Sequence, residues 1–335
     1  MEIKKNRIGI LGSGSWATAM IKMLTDNTVD KEVFWWVRKP EDIEYIKKYK
    51  HNPSYLSAVN IKIPNKHIYT AVRTVVEKSD IVVLNTPAAY LKDALKDLTV
   101  QDFEGKIVVS AIKGIIPEEN QIVGEYLHDT YAIPLDHIVV IGGPCHAEEV
   151  SAEKLSYLTF GCSAIDIAER VAVLFGGRYI RTILSDDIWG IEYGAVLKNI
   201  YALAGGICHG LGYGDNFQSV LISNAIREME YFVQAIAPKD RDIKASAYLG
   251  DLLVTAYSQF SRNRTFGNMI GKGYSVKSAQ LEMNMVAEGY YASDCIQRII
   301  GKYNLDMPIC NMVYQILYNN SPAAKEVNTL AQKLT

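Results

Sequence analysis

The first half of the chain alternates short, β-branched apolar runs with segments whose apolar residues recur at helical spacing. This alternation is typical of crossover connections, and it predicts a largely parallel, doubly wound sheet. Such a sheet binds its ligand at the carboxyl ends of the strands. The predicted strands are Ile8–Leu11, Val33–Val37, Ile81–Asn85, Ile107–Ala111, Ile138–Ile141, Leu155–Phe160 and Tyr179–Leu184, and the predicted helices between them include Trp16–Leu24, Ala88–Leu98 and Ala164–Leu174.

The pattern changes after Ser185, where Asp186 and Asp187 are typical of the capped, acidic first turn of a helix. From there the apolar spacing is helical. We therefore predict an α/β protein with a doubly wound sheet domain at residues 1–185 and an all-α domain at residues 186–335. The predicted helices of the second domain are Ile188–Cys208, Phe217–Ile236, Lys244–Gln259, Ala287–Tyr303 and Ile309–Tyr318.

Composition and charge narrow the class of protein. The 335 residues are 49% apolar and 21% charged, which is ordinary for a globular chain of two domains. The net charge is −2 and both signs are interspersed, so no basic field is available for a nucleic acid. The longest uninterrupted apolar run, Ile200 to Cys208, is too short to span a membrane.

The start of the chain and its cysteines bear on localisation. Lys4, Lys5 and Arg7 precede an apolar stretch as in a signal peptide, but Gly12 and Gly14 interrupt that stretch at once, so we reject this interpretation. The five cysteines are odd in number and contain no C-x-x-C pair, which argues against disulfides and structural zinc. We therefore predict a protein of the reducing cytoplasm without a bound metal.

A glycine-rich turn follows the first predicted strand. The sequence GSGSWA, from Gly12 to Ala17, directly follows that strand and opens a helix. Its glycines allow a tight turn and close backbone approach, which leaves the amides of the helix N-terminus available to a pyrophosphate. A glycine-rich turn without a ligand is the alternative. The strand–turn–helix context favours a Rossmann-type dinucleotide site.

The end of the second predicted strand indicates which dinucleotide is bound. An NAD site usually has an acidic residue there for the ribose hydroxyls, whereas this chain has Arg38 and Lys39. Two cations at that point favour a 2′-phosphate and therefore NADP. The alternative is a solvated loop in which Glu41 and Asp42 neutralise the two cations, and NAD then stays open.

Two further strand ends carry polar or glycine-rich sequence. Lys113 comes directly after an apolar strand and is predicted at the carboxyl edge of the sheet, although a lysine there, taken alone, is more often a surface residue than a catalytic one. The next strand ends in GGPCHA from Gly142 to Ala147, a turn suited to close approach to a ligand. His146 and Cys145 lie in this turn, but neither has an activating partner in the sequence.

Lys198 is the most informative residue of the second half. From Tyr193 to Cys208 the sequence is apolar or small except for Lys198 and Asn199, so the helix that carries them should be buried. Burial is expected to lower the pKa of the Lys198 ammonium towards the range that suits proton transfer. The alternative is a lysine that extends to the surface.

Two later segments supply complementary groups. Asp251 and Thr255 lie one helical turn apart, so a carboxylate on that face could pair with Lys198. The segment from Ser261 to Thr265 has the sequence SRNRT, which concentrates hydroxyl, amide and guanidinium donors suited to a phosphate. A solvated basic turn is the alternative for this segment.

Taken together, these motifs resemble NAD(P)-dependent glycerol-3-phosphate dehydrogenases of the bacterial type. The resemblance covers nearly the whole chain, and the joint order of its motifs is more specific than any one of them. The motifs are GSGSW at 12–16, IKG at 112–114, GGPCHA at 142–147, GAVLKN at 194–199, GLGYGDN at 210–216, LGDL at 249–252, SRNRTFG at 261–267 and VAEGY at 286–290.

The resemblance implies a Rossmann domain followed by an α-helical substrate domain, and roles for individual residues. The implied catalytic residues are Lys198, which acts as proton donor and acceptor, Lys113 and Asp251. The implied cofactor contacts are Gly12, Gly14, Ser15, Trp16, Arg38, Lys39, Lys113, Ala147, Arg262, Val286 and Glu288. The implied substrate contacts are Lys113, Gly143, Cys145, Lys198, Asp251, Ser261, Arg262 and Asn263.

The sequence departs from the family pattern at two positions. Cys145 stands where the family usually has Ser or Thr, and Asn224 stands where many relatives have Arg. Neither departure changes the implied role of Lys198. A homodimer is implied by the resemblance alone.

The expected function is reduction of dihydroxyacetone phosphate to sn-glycerol 3-phosphate, with NADP as the cofactor and NAD as the alternative, for glycerophospholipid synthesis. Related reductases of 3-hydroxy acids, sugar phosphate acids or ketopantoate also use a Lys and an Asn on this helix, so they stay open. The second alternative, from another class, is an NADP-binding sensor without catalytic activity.

Overall fold

The computed structural model describes residues 6–283 and 287–335. Contacts divide the chain into two units, Met1–Ile112 with Val123–Ile188 and Lys113–Ile122 with Trp189–Thr335. The predicted domain boundary after residue 185 stays a prediction. The division by contacts differs from it in assigning Lys113–Ile122 to the second unit, although these residues lie within the first half of the sequence.

An eight-stranded sheet forms the first unit. Its strands are β1 (Asn6–Leu11), β2 (Lys31–Trp36), β3 (Ile68–Tyr69), β4 (Ile81–Leu84), β5 (Ile107–Ser110), β8 (Ile138–Gly142), β9 (Ser156–Gly161) and β10 (Ile180–Ser185). Their order is β10-β9-β8-β5-β4-β1-β2-β3, and every neighbouring pair is parallel except β8 and β9. Because β1 lies between β2 and β4, the carboxyl end of β1 is the point at which the strand order reverses.

Helices connect these strands, as the crossover pattern requires. They bury apolar side chains such as Met20 and Leu24 against the sheet, where Trp35 and Phe160 are fully buried. Removal of this apolar surface from water stabilises the unit. The helices are α1 (Ser15–Asp26), α2 (Pro40–Tyr49), α3 (Val72–Glu77), α4 (Leu91–Leu95), α5 (Val123–Tyr131), α6 (Ala147–Ser151) and α7 (Ile165–Phe175).

In the described residues of the second unit, the only strands are those of a small antiparallel hairpin, β6 (Ile115–Ile116) with β7 (Gln121–Ile122), and the other regular elements are helices. Its first helix, α8 (Ile188–Gly210), is buried at every position from 191 to 208. The other helices are α9 (Asp215–Ile236), α10 (Asp251–Tyr257), α11 (Arg262–Gly271), α12 (Val276–Glu282), α13 (Glu288–Tyr303), α14 (Pro308–Tyr318) and α15 (Ala323–Ala331).

The predicted α/β class with a Rossmann-type sheet and a helical second half is confirmed, and the seven predicted strands are present within two residues at each end. Two details of the prediction were wrong. The predicted helix Ala88–Leu98 begins as a 3₁₀ turn, Ala88–Tyr90, and its α-helical part ends at Leu95. The predicted helix from Lys244 begins as a π-helical turn, Ser246–Gly250, and ends at Tyr257. The short hairpin lies outside the predicted all-α domain and was not predicted.

Among the described residues, no helix combines the length and apolar character needed to cross a membrane.

Candidate active site

The glycine turn follows β1 as predicted. Gly12 has φ +130°, and a Cβ there would lie 2.9 Å from the carbonyl C and O of Asn85. Only glycine fits this position without displacing the backbone of the neighbouring strand. Gly14 is the N-cap of α1, and a Cβ at Gly14 would meet nothing within 4 Å, so open space lies above the helix N-terminus. Ser15 and Trp16 are the first residues of that helix.

Two side chains hold the glycine turn in place. The indole Nε1 of Trp35 donates to the Gly12 carbonyl at 2.7 Å. The amide Nδ2 of Asn52 donates to the Ser13 carbonyl at 3.0 Å and to Thr18 Oγ1 at 2.9 Å, and Asn52 is only 3% exposed. The sequence analysis did not identify Asn52, although this residue begins an Asn-Pro-Ser sequence that is typical of a turn.

The two cations predicted after β2 are exposed. Arg38 and Lys39 follow the buried Val37, and Lys39 is the N-cap of α2. Neither side chain forms an ion pair or hydrogen bond with any residue that the structure describes. Glu41 and Asp42 lie in the first turn of α2 and do not neutralise them by contact. Both cations are therefore available to an anionic ligand group.

The glycine-rich sequence after β8 also forms a tight turn. Gly143 has φ +100°, and a Cβ there would lie 2.7 Å from the Tyr157 carbonyl oxygen. The thiol of Cys145, which is partly exposed, donates to the Gly143 carbonyl at 3.2 Å. Ala147 is buried and begins α6, with His146 as the N-cap residue.

One cluster in the second unit contains the buried Lys198 and Asp251 together with Lys113, which is partly exposed. The ammonium of Lys198 donates to Asp251 Oδ1 and, at 2.9 Å, to the hydroxyl of Thr255. The ammonium of Lys113 donates to Asp251 Oδ2 at 2.9 Å. Lys198 is 5% exposed and Asp251 1% exposed, so Lys198 is buried as predicted and does not extend to the surface.

Asp251 is a carboxylate shared by two cations. Burial alone would raise the pKa of this carboxyl, but the ammonium groups of Lys113 and Lys198 outweigh burial and hold the pKa below its ordinary value. Asp251 therefore stays ionised, and the three groups together carry one net positive charge. The π-helical turn Ser246–Gly250 ends directly before Asp251, and such turns often occur at functional sites.

A chain of amide contacts runs beside this cluster. Asn199 donates from Nδ2 to the backbone carbonyl of Lys113 at 2.8 Å. Asn263 donates from Nδ2 to Asn199 Oδ1 at 2.9 Å, and its own Oδ1 accepts from the Gly289 N–H at 2.9 Å. Asn199, Asn263 and Gly289 thereby connect α8, α11 and the first turn of α13.

The SRNR segment begins α11. Ser261 is the N-cap residue, 3% exposed, and its Oγ accepts from the Arg264 N–H at 3.3 Å. Arg262 is exposed in the first turn. Of the residues implied by resemblance at the next helix, Glu288 is the first residue of α13, whereas Val286 lies outside the described residues.

Sequence reasoning did not assign Thr255 or Asn199 to the site. Thr255 was noted only as one turn from Asp251, and its hydroxyl accepts from Lys198 while it donates to the Asp251 carbonyl at 2.7 Å. Asn199 was noted beside Lys198, and it holds the segment that carries Lys113. At the second departure from the family pattern, Asn224 donates to the Thr335 carbonyl at 2.9 Å.

The first unit fits a dinucleotide. The glycine turn has the backbone that a pyrophosphate needs, with no side chain above the N-terminus of α1. In addition, both amide atoms of Asn85, at the end of β4, are buried without a hydrogen-bond partner among the described residues. Buried polar groups are normally paired, so this pair of atoms favours a polar ligand group at the end of β4.

Comparison with known proteins agrees with this geometry. Models of the NAD-dependent glycerol-3-phosphate dehydrogenase N-terminus and C-terminus match residues 7–168 and 187–328. Glycerol-3-phosphate dehydrogenase (NAD(P)+) of Agathobacter rectalis is 34% identical over 97% of this chain and 95% of its own length. The namesake of Bacillus subtilis is 32% identical over 97% of this chain and 93% of its own length.

Solved structures show the same relationship. The crystal structure of glycerol-3-phosphate dehydrogenase from Coxiella burnetii aligns with a TM-score of 0.89 and 26% identity, over 98% of this chain and 99% of that one. A ketopantoate reductase from Ralstonia eutropha has a TM-score of 0.60 and 13% identity over 96% of this chain. The latter likeness shows a shared fold alone.

Proposed function

The chain belongs to the family of NAD-dependent glycerol-3-phosphate dehydrogenases, and we propose that it reduces dihydroxyacetone phosphate reversibly to sn-glycerol 3-phosphate. The observation that carries this proposal is the cluster in which Lys198 and Lys113 share the buried carboxylate of Asp251. Burying charged groups in a helical core costs free energy, so a cluster of this kind indicates a functional site. The product would enter glycerophospholipid synthesis.

Lys198 is the proposed proton donor. In ketone reduction a negative charge develops on the carbonyl oxygen, and an ammonium nearby can stabilise this charge and protonate the oxygen. The three charged groups carry one net positive charge, so loss of a proton from Lys198 leaves Lys113 and Asp251 as a balanced pair. The hydroxyl of Thr255 keeps the Lys198 nitrogen in place.

Residues of the glycine turn would hold the cofactor. The proposed contacts for the pyrophosphate surround the N-terminus of α1, and they are Gly12, Gly14, Ser15 and Trp16. The nicotinamide, when bound, supplies the hydride that reduces the carbonyl carbon. Further contacts proposed from the family resemblance are Arg38, Lys39, Lys113, Ala147, Arg262, Val286 and Glu288.

The substrate phosphate is assigned to the first turn of α11. Arg262 offers a planar set of donors that suits a phosphate. Asn263 has its carbonyl oxygen occupied by Gly289 and one amide hydrogen by Asn199, so it can contribute only its second amide hydrogen. Ser261, Gly143 and Cys145 complete the proposed substrate contacts.

A substrate panel tests the proposed function. We expect the chain to oxidise NADPH in the presence of dihydroxyacetone phosphate, followed by the absorbance of NADPH. Dihydroxyacetone without the phosphate is the matched control and should react far more slowly. Ketopantoate or a 3-oxo acid as the preferred substrate would replace the proposal with one of the related reductases. No turnover with any ketone, despite NADPH binding, would support the sensor.

NADP preference is a separate proposal, supported by the exposed cations after β2. Arg38→Ala combined with Lys39→Ala should lower kcat/KM for NADPH by about ten- to a hundredfold and leave that for NADH unchanged, since only NADPH has the 2′-phosphate. Lys48→Ala combined with Lys66→Ala removes the same charge from exposed positions and serves as the control. An equal loss for both cofactors would contradict the assignment.

We also propose a cytoplasmic location, no nucleic-acid binding and a homodimer. A cytoplasmic location is supported by cysteines that are all free among the described residues. Absence of nucleic-acid binding is supported by the balanced charge. A homodimer is supported only by the family resemblance, and light scattering of the purified chain would decide it.

A further inference from the structure

Asn85 and Thr86 lie where the strand order reverses. The Asn85 N–H donates to the Leu11 carbonyl at 2.8 Å, which extends the pairing of β4 with β1 by one residue. Gly12 crosses so close to Asn85 that a Cβ at Gly12 would contact the Asn85 backbone. Asn85 therefore forms one wall of the glycine turn.

Polar side-chain atoms at the ends of β4 and β5 have no hydrogen-bond partner among the described residues. Three of these atoms are buried and form no hydrogen bond with the described residues, namely Nδ2 and Oδ1 of Asn85 and Oγ1 of Thr86. Ser110, the last residue of the adjacent strand β5, is 1% exposed and its Oγ also has no partner there. Each buried polar atom without a partner costs free energy, so a cluster of them on adjacent strand ends indicates a bound polar group.

The sheet order indicates which part of a dinucleotide this is. β2 flanks β1 on one side and ends near Arg38, the proposed contact of the adenosine 2′-phosphate. β4 flanks β1 on the other side. If the pyrophosphate lies at the glycine turn above β1, the end of β4 meets the second nucleoside, which carries the nicotinamide.

We propose that Asn85 and Thr86 bind the ribose hydroxyls on the nicotinamide side of the cofactor. An amide has both donor and acceptor atoms, as does a hydroxyl, so Asn85 can pair with two adjacent hydroxyls at once. Asn85 acts as a positioning residue, because holding this ribose limits the positions that the nicotinamide ring can take. The inference rests on the proposed use of a nicotinamide dinucleotide.

Two ligands separate this role from a general effect on the turn. NADPH has both nucleosides, whereas adenosine 2′,5′-bisphosphate has only the adenosine half. With Asn85→Ala, we expect the Kd for NADPH, measured by calorimetry, to rise about tenfold, while the Kd for adenosine 2′,5′-bisphosphate stays unchanged. Asn60→Ala, at an exposed position of the same unit, is the control and should change neither.

Asn85→Leu, which nearly keeps the side-chain volume, tests the same idea without a cavity. The Tm of the ligand-free variant should not fall, because the lost amide atoms have no partners, while its rise in Tm on adding NADPH should shrink. An unchanged Kd for NADPH, or an equal change for both ligands, would overturn the inference alone. Failure of the unmodified chain to bind NADPH would overturn the proposed function as well.

Discussion

At the scale of single residues, the site depends on one carboxylate that serves two ammonium groups. Asp251 binds Lys113 through one oxygen and Lys198 through the other. Removing either partner from a buried ion pair is costly, since the charge that is left has no compensation. Here one lysine can lose its proton while the other still balances the carboxylate, which makes the arrangement suited to proton transfer.

Lys198→Ala tests that role directly. Turnover should fall on the order of 10² to 10⁴ because the proton donor is lost, while the Kd for NADPH stays unchanged. Lys277→Ala, at an exposed position on α12, is the control and should keep full activity. Partial recovery of Lys198→Ala by added alkylammonium would support loss of the donor, and normal turnover of this variant would remove the mechanism.

At the scale of elements, glycines allow three helices of the second unit to meet at the site. A Cβ at Gly267 of α11 would collide with the Leu203 carbonyl of α8, and one at Gly206 of α8 would collide with the Arg264 carbonyl of α11. A Cβ at Gly289 of α13 would lie 2.6 Å from the Asn199 carbonyl oxygen. This close approach of backbones is what brings the side chains of Asn199 and Asn263 within hydrogen-bond distance.

Gly267→Ala should therefore damage both stability and activity. The added methyl group forces α8 and α11 apart, and overpacking of this kind typically costs about 1–3 kcal/mol of unfolding free energy. Urea unfolding would measure this loss, and kcat should fall as Asn263 moves away from Asn199.

Gly301→Ala is the matched control for that change. Gly301 lies in α13 with nothing within 4 Å of a Cβ, so its replacement should stabilise the protein slightly. If the two glycine variants have equal stability, close packing of α8 with α11 is not what holds the site.

At the scale of the whole molecule, a buried carboxyl makes stability depend on pH. Glu228 of α9 accepts hydrogen bonds from the N–H groups of Ile309 and Cys310, at 2.9 and 3.0 Å, at the start of α14. Burial raises the pKa of Glu228 to about 7, although these two N–H groups act to lower it. The folded protein therefore binds this proton more tightly than the unfolded chain does.

The sign of the effect follows by linkage. The contribution of Glu228 to stability is fully present below its ordinary pKa of 4.5 and is lost as the pH rises through about 7. Relative to Glu228→Gln, the unfolding free energy of the unmodified protein should fall by on the order of 3 kcal/mol over this range. Urea unfolding at a series of pH values measures both curves, and parallel curves would contradict the assignment.

The sequence by itself determined the parts of this protein that depend on local pattern. Apolar periodicity located seven of the eight strands of the sheet, and the glycine spacing located the turn after β1. A lone charged residue in an apolar helix identified Lys198 as buried. Each of these depends on residues within a few turns of one another, so the pattern is visible in the sequence. Short helices such as α2 and α12 were not predicted, because they bury only Ile43 and Ile46 in the first and Ala279 in the second, which is too few apolar positions to identify a helix in the sequence.

Only the tertiary structure decided which of these residues meet. Lys113 binds Asp251 across 138 residues of sequence, and Lys198 binds it across 53. It also decided that Asn52 supports the glycine turn and that the side-chain amide of Asn263 bonds to Asn199 and Gly289. In the part of the chain that the structure describes, the side-chain amide of Asn85 has no partner. Contacts of this kind arise from the packing of distant elements, and packing depends on shape and volume that periodicity does not encode.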